Sequence, residues 1–245
     1  MKVFHNLDKL PTLTNAVATM GSFDGVHCGH QELLRRTANL AKERNAESVV
    51  ITFDPHPRYV LGTGGNMKLI TTLDEKLYLF ECAGIDNVIV VNFTREFSEK
   101  SPSEFIEEVA AAGVKCMVVG YNHRFGHKKE GDFNYLESHC VDMEIHMVEQ
   151  QQMSQSKVSS TIIRQKVALG MMDKATQMLA HPYIIKCTIT QDGILEGIDE
   201  NKLLPSDGVY DAKIGDVMTS LTVGRDGVMK VGYSNITGEA IVEIV

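Results

Sequence analysis

The segment Gly-Ser-Phe-Asp-Gly-Val-His-Cys-Gly-His, residues 21–30, carries the densest chemistry in the chain. His27 and His30 stand three apart with Gly29 between them. The short apolar run Ala16–Met20 precedes them, and the helix-like QELLRRTANLAKE follows. This pattern predicts a strand ending at Gly21, a glycine-rich turn, and a helix beginning near Gly29. The start of a helix presents unpaired N–H groups and the positive end of its dipole, which suit an anion such as phosphate. Two imidazoles at this spacing add N–H donors to the same anion, and Gly29 lets a nucleotide lie against the backbone. A loop histidine by itself is ordinarily a solvated side chain. The strand before the pair and the helix after it are what favour the phosphate reading.

Three more segments stand at the ends of apolar runs or before a helix. In TFDPHP, residues 52–57, two prolines flank His56 and should keep the backbone extended and stiff. The plain alternative there is a strand exit with a rigid turn. VGYNHRFGHKKEGD, residues 119–132, follows the apolar CMVV, so Gly120 and Asn122 should sit at a strand's carboxyl end. Its plain alternative is a basic surface loop. In VSSTIIR, residues 158–164, Ser159, Ser160 and Thr161 can cap a helix, with Arg164 one turn further on.

The combined pattern GxFDGxHxGH resembles the adenylyltransferase part of bacterial FAD synthetases, within the HxGH nucleotidyltransferase superfamily. The other three segments match the same family in the same order, as its flavin-side loop, its GxNxxFGxxxxG segment and its SSTxIR element. The resemblance implies the reaction ATP + FMN → FAD + pyrophosphate. It implies that His27 and His30 are the catalytic pair, contacting nucleotide phosphates. ATP would be bound by Gly21, Phe23, Asp24, Gly29, Lys157, Ser160, Thr161 and Arg164, and the flavin by Phe53, Asp54, Pro55, His56, Pro57, Asn122 and Phe125. A phosphate oxygen of FMN is already a nucleophile near neutral pH, so the protein needs no general base. It must align the two nucleotides and offset the charge that builds on the α-phosphate and the leaving pyrophosphate. Mg2+ would arrive with ATP, bridging phosphates and keeping waters, and its protein ligands are not defined by the sequence. Asp24 suits orienting a donor or a ribose better than holding the metal. Lys157 stands where the family usually carries arginine, which keeps the charge but loses the two-pronged fork.

The balance of the chain narrows its class. Among 245 residues, 43% are hydrophobic and 23% charged, as in an ordinary globular protein, and the formal charge is −8. That charge argues against non-specific nucleic-acid binding, which needs a basic face, whereas an adenine nucleotide needs only local donors. Apolar runs are strand-sized, so no membrane span is expected, and the opening MKVFHNLDKL lacks the apolar core of a secretion signal. Cys28, Cys82, Cys116, Cys140 and Cys187 are odd in number and widely spaced. They read as reduced thiols of a cytoplasmic protein, with Cys28 filling space in the histidine loop. Expected partners are therefore small molecules, ATP and FMN, without nucleic acid or membrane. The oligomeric state is not legible.

Positioning these residues requires an α/β frame. Strand-like runs fall at AVATM, 48–53, 87–93, 116–120 and 144–148, with helical patterns at 31–44, 74–83, 102–112 and 133–140. The strands are near-continuous apolar runs, as in a parallel sheet covered on both faces. A doubly wound, Rossmann-like sheet follows, with ligands expected beyond the carboxyl ends of the strands. A polar stretch at 149–157 should be an exposed loop, followed by helices near 160–169 and 172–180. From Tyr183 the pattern changes to short alternating runs punctuated by Asp192-Gly193, Asp207-Gly208 and Asp226-Gly227, each read as a hairpin signal. The chain thus divides into an adenylyltransferase domain, residues 1–182, and a small antiparallel β domain, residues 183–245, barrel-like in outline.

Within that tail, LLPSDGVYDAKIG resembles the riboflavin kinase barrel of bifunctional FAD synthetases. Where the kinase's Pro-Thr-Ala-Asn loop belongs, however, the chain reads TQDGILEGIDENKLLP. The tail is also shorter and lacks an evident kinase base, so riboflavin kinase activity is not expected. Two other readings stand beside FMN adenylylation. One is a nucleotidyltransferase with a different phosphorylated acceptor, against which TFDPHP and residues 119–132 argue. The other is a non-catalytic flavin-binding regulator, against which the intact His27 and His30 argue.

Overall fold

The apolar runs of the first half form a parallel sheet in the computed structural model, which describes residues 1–7, 13–140, 142–149, 158–232 and 235–245. Lys157 and most of the polar stretch at 149–157 lie outside the described residues. By internal contacts the chain forms two units. The first comprises Met1–Phe23, Gly29–Asn66 and Leu77–Gln155, and the second Asp24–Cys28, Met67–Lys76 and Ser156–Val245.

The first unit holds β1 (Lys2–His5), β2 (Ala16–Met20), β3 (Ser48–Asp54), β4 (Asn87–Asn92), β5 (Val114–Gly120) and β6 (Glu144–Val148). They lie in the order β1-β4-β3-β2-β5-β6, every pair parallel. All five residues of β2 are buried, as its unbroken apolar run requires. The helices are α1 (Cys28–Glu43), α2 (Pro57–Val60), α3 (Leu73–Cys82), α4 (Arg95–Ser98), α5 (Pro102–Ala111) and α6 (Phe133–His139). The start of α5 has a complete capping box between Ser101 and Glu104. The core gathers Ala18, Met20, Ile51, Ile89, Met117 and Val119 from the strands with Phe105, Ile106 and Val109 from α5. β1 is an element the sequence pattern does not announce. It is a mostly exposed edge strand of four residues, too short and too polar to give an apolar run.

The second unit begins its helical part with α7 (Ser160–Ala168) and α8 (Met172–Leu179). Six antiparallel strands follow: β7 (Tyr183–Ile189), β8 (Leu195–Glu196), β9 (Gly208–Ile214), β10 (Val217–Val223), β11 (Met229–Val231) and β12 (Gly238–Ile244). Their order is β11-β10-β9-β12-β7-β8. A bridge between Ile194 and Lys230 brings the two ends of the sheet together, giving the barrel-like outline. Asp192-Gly193 and Asp226-Gly227 do stand between paired strands, β7 with β8 and β10 with β11. Asp207-Gly208 does not. It enters β9, whose partners are β10 and β12, and the tight turn falls instead at Gly215-Asp216, with Gly215 at φ 57°. The hairpin dipeptide there is Gly-Asp rather than Asp-Gly.

Candidate functional site

The direction of the sheet reverses at β2. From β2 the chain builds outward through β3 and β4, then returns to lay β5 against the other side of β2. Such a switch point opens a crevice beyond the carboxyl ends of the strands. The strands beside β2 run on past its end. Met20, the last residue of β2, pairs with Ile51, while β3 runs on to Asp54; Thr19 pairs with Val118, while β5 runs on to Gly120. The loops that leave these three adjacent strands are 21–30, 54–57 and 121–132. All three motif loops of the first unit's sheet therefore begin at its switch point.

Phe23 is buried in the first unit, with its ring edge-on to His30 (centroids 5.2 Å apart) and to Phe80 (5.5 Å). His30 is the third residue of α1, His27 immediately precedes that helix, and Gly29 is buried within it. Phe23, Gly25 and Val26 have φ values of 49°, 88° and 39°. Left-handed backbone is cheap for glycine and costly for phenylalanine and for β-branched valine, so this turn holds strain where a strand passes into a phosphate-suited helix start.

On the β3 side, His56 adopts φ −58°, ψ 132°, the extended form expected between two prolines, and its side chain accepts a hydrogen bond from the Arg58 N–H. Pro57 then starts α2, so the stiff extended stretch is shorter than its prolines suggest. Asp54 and Pro55 are exposed, their peptide bond is cis, and Phe53 is half-buried. On the β5 side, Asn122 is exposed and Phe125 is buried. A row of rings joins these two loops. Phe53 meets Phe97 (6.1 Å), Phe97 meets Phe105 (6.1 Å), and Phe105 meets Phe125 (6.0 Å), on which His123 is stacked (5.6 Å). Burial pushes the His123 imidazole down to about 4. Phe97 and Phe105 have no local sequence signal, since only the folded chain places them between the two motifs, whereas His123 lies inside the 119–132 segment without being marked as a site residue.

The second unit brings Asp24, Ser160 and Arg164 together. Asp24 is 2% exposed. Its Oδ1 accepts hydrogen bonds from the Ile70 N–H (2.8 Å) and the Thr71 N–H (3.1 Å), and its Oδ2 accepts from Arg164. Burial pushes the Asp24 carboxyl up, against the opposing pull of the Arg164 guanidinium and the two backbone N–H groups. Arg164 also donates through Nε to the Lys68 carbonyl (2.9 Å). The Gly25 N–H donates to the Thr71 hydroxyl (2.8 Å), and the Ser160 hydroxyl donates to the Asp24 carbonyl (3.0 Å). Ser159 caps α7 through the Ile162 N–H, while Thr161 is exposed. His27 is buried, which holds its imidazole down at about 4; its own backbone hydrogen bond opposes this and the His181 ring adds to it. Ile70 and Thr71 were not legible as site residues, because they act through backbone groups. One local signal was available: Thr72-Leu-Asp-Glu75 is a capping box at the start of α3, with Thr72 N–H to Glu75 at 2.9 Å and Glu75 N–H to Thr72 at 3.3 Å.

A His-x-Gly-His helix start that follows the central strand of a Rossmann-like sheet is the pattern expected of a nucleotidyltransferase. Comparison with known proteins gives the particular family. The FAD synthetase profile matches residues 9–162, and the chain belongs to that family. It is 34% identical to a bifunctional riboflavin kinase/FMN adenylyltransferase of Listeria monocytogenes, over 81% of this chain and 68% of the relative. A protein of the same description from Escherichia coli K12 is 36% identical over 74% of this chain and 59% of its own length. An FAD synthetase of Listeria monocytogenes is 31% identical over 90% of this chain and 88% of its own. Thus the chain spans only about three-fifths to two-thirds of the two bifunctional relatives. A crystal structure described as a macrolide-efflux protein from Streptococcus pneumoniae superposes with a TM-score of 0.82 over the whole chain and 90% of its own, at 22% identity, which shows the fold alone. Among the described residues no helix is long and apolar enough to cross a membrane, and no group of three metal-ligating side chains occurs.

Proposed function

We propose that this chain transfers AMP from ATP to FMN, forming FAD and releasing pyrophosphate, and that it does not phosphorylate riboflavin. The observation that carries the first half is the convergence of the three motif loops on the carboxyl ends of β3, β2 and β5. A phosphate oxygen of FMN attacks the α-phosphorus of ATP, and the bond to the leaving pyrophosphate breaks. No proton has to move, so the protein's work is alignment and charge stabilisation. His27 and His30 donate to the phosphates, with Gly21, Phe23, Asp24, Gly29, Lys157, Ser160, Thr161 and Arg164 forming the ATP side. Phe53–Pro57, Asn122 and Phe125 form the flavin side, backed by the row of rings. Asp24 works by fixing the loop, since both of its carboxylate oxygens are already engaged by Ile70, Thr71 and Arg164. That commitment suits magnesium carried in by the triphosphate, where it would neutralise phosphate charge with few protein ligands.

The adenylylation chemistry is assigned to residues 1–182 and the small β domain to residues 183–245. Residues 190–205, where a kinase would carry its metal–phosphate loop, hold β8 and hydrogen bonds of structural character. The 88% coverage of a relative described only as FAD synthetase supports the single activity. We place the enzyme in the cytoplasm, acting on ATP and FMN alone. Chromatography of incubations with Mg-ATP tests both halves. FMN should yield FAD and one pyrophosphate for each FAD, and riboflavin should yield neither FMN nor FAD. No FAD from FMN refutes the first half, and enzyme-dependent FMN from riboflavin refutes the second.

A further inference from the structure

Lys202 lies in the long connection between β8 and β9, far in sequence from the motifs of the first 164 residues, and is 3% exposed. An ammonium group has three donors, and here all three are taken. They go to the Ile70 carbonyl (2.6 Å), to Glu75 Oε2 (2.6 Å) and to the Ile184 carbonyl (2.7 Å). The charge also sits 4.3 Å from the centre of the Tyr183 ring. Its partner Glu75 is 1% exposed and is itself fully occupied. Oε2 also accepts from the Thr72 N–H (2.9 Å), and Oε1 accepts from the Lys186 N–H (3.0 Å). Backbone pairing reinforces the join. Leu69 N–H donates to the Asn201 carbonyl and Leu203 N–H to the Leu69 carbonyl, both at 2.7 Å.

This knot is one residue from the histidine loop. Ile70 gives its carbonyl to Lys202 and its N–H to Asp24 Oδ1. Thr71, next along, holds Asp24 with its N–H and Gly25 with its hydroxyl. The Ile70 side chain closes on the same turn, since a methyl group added at Gly25 would come within 3.1 Å of it. Bare core packing of the β unit does not call for a buried ion pair: apolar residues of similar volume hold such places at no loss of stability. What the pair does that apolar residues cannot is fix a carbonyl and a carboxylate in direction. The fixed peptide is the one that orients Asp24.

We infer that Lys202, paired with Glu75, is a positioning residue for the nucleotide-binding loop 24–28, acting through Ile70 and Thr71. The inference rests on the proposed reading of that loop as part of the ATP side. It gives the small β unit a part in adenylylation without any kinase chemistry of its own.

The test compares steady-state FAD formation by the full chain and by the double variant Lys202→Met/Glu75→Gln, which removes both buried charges together. KM for ATP should rise at least fivefold while KM for FMN stays within twofold. Amide hydrogen exchange at Gly25, Ile70 and Thr71 should quicken at least tenfold, with the melting temperature close to the parent's. A folded double variant with parental KM for ATP overturns the inference, as does a fall in kcat alone, which is what a smaller folded fraction produces. Should the double variant not fold, Thr71→Val keeps the core shape but cuts the hold on Gly25, and an unchanged KM for ATP there overturns it equally. If the parent itself makes no FAD, the reading of the site has failed. In that case the exchange measurement decides the positioning: amides at Gly25, Ile70 and Thr71 no faster than the parent's overturn it.

Discussion

Histidine is where the residue scale is most exposed to measurement. If His30 donates to the phosphates as proposed, His30→Ala removes one preorganised donor to the developing charge, and a loss of that kind typically slows turnover about a hundredfold or more. His30 is only partly buried on α1, so melting should stay near the parent's, and FAD formation by the two proteins is the comparison that checks it. His27 and His123 should stay neutral down to about pH 4, against 6.5 for an exposed imidazole, because burial disfavours the cation at both. The unfolded chain takes up protons between those values and the folded one does not. Each histidine therefore contributes stability that is complete above about pH 6.5 and is lost as the pH falls towards 4. Asp24, held up by burial, works in the opposite sense, so melting curves mix the two. Residue-resolved NMR titration separates them, and a midpoint near 6.5 for either imidazole contradicts its burial.

At the scale of elements, the Asp24–Arg164 pair joins the histidine loop to α7. Removing one member of a buried pair leaves the other charge unpaired, at a cost of about 3–5 kcal/mol. Arg164→Ala should therefore lower the melting temperature by many degrees and also raise KM for ATP or cut turnover. Parental kinetics in that variant would remove the start of α7 from the site. How much of this was legible differs by element. β2, β3, β4 and β5 were readable as buried apolar runs, and α7 was readable from its Ser-Ser-Thr cap, because burial and capping leave local marks; β6 was readable as a strand, but as the edge of the sheet it buries only Val148. β1 left none, being short, polar and exposed. The position of Asp24 was readable as part of a motif, but its partners were not. Ile70 and Thr71 hold it by backbone N–H groups that any sequence would supply, and Lys202 stands 132 residues from Ile70 with nothing around it to mark a buried cation. Aromatic joining of the 53–57 and 122–125 loops was likewise invisible, since Phe97 and Phe105 read simply as apolar positions on short helices.

Taken as a whole, the molecule does not keep its sequence order in its packing. Ile163, Val167, Met172, Ala175 and Leu179 of α7 and α8 share one core with Ile185, Ala212, Leu221 and Val242 of the β sheet. A fragment of residues 1–182 would expose that apolar face. It should precipitate or melt without cooperativity, and calorimetry of the purified fragment checks this; a sharp transition would show that the sheet is dispensable to the helices. The same arrangement has a consequence for synthesis on the ribosome. Gly25 leaves the exit early, yet its carbonyl meets His181, 156 residues later, and Asp24 waits 140 residues for Arg164. At roughly 5–20 residues per second, that is a delay on the order of ten to thirty seconds. Through that interval the first unit's strands can assemble while loop 24–28 has nothing to close on. The newborn chain thus has its histidines in place in the sequence, and no settled turn at Asp24 and Gly25, until its last third has emerged.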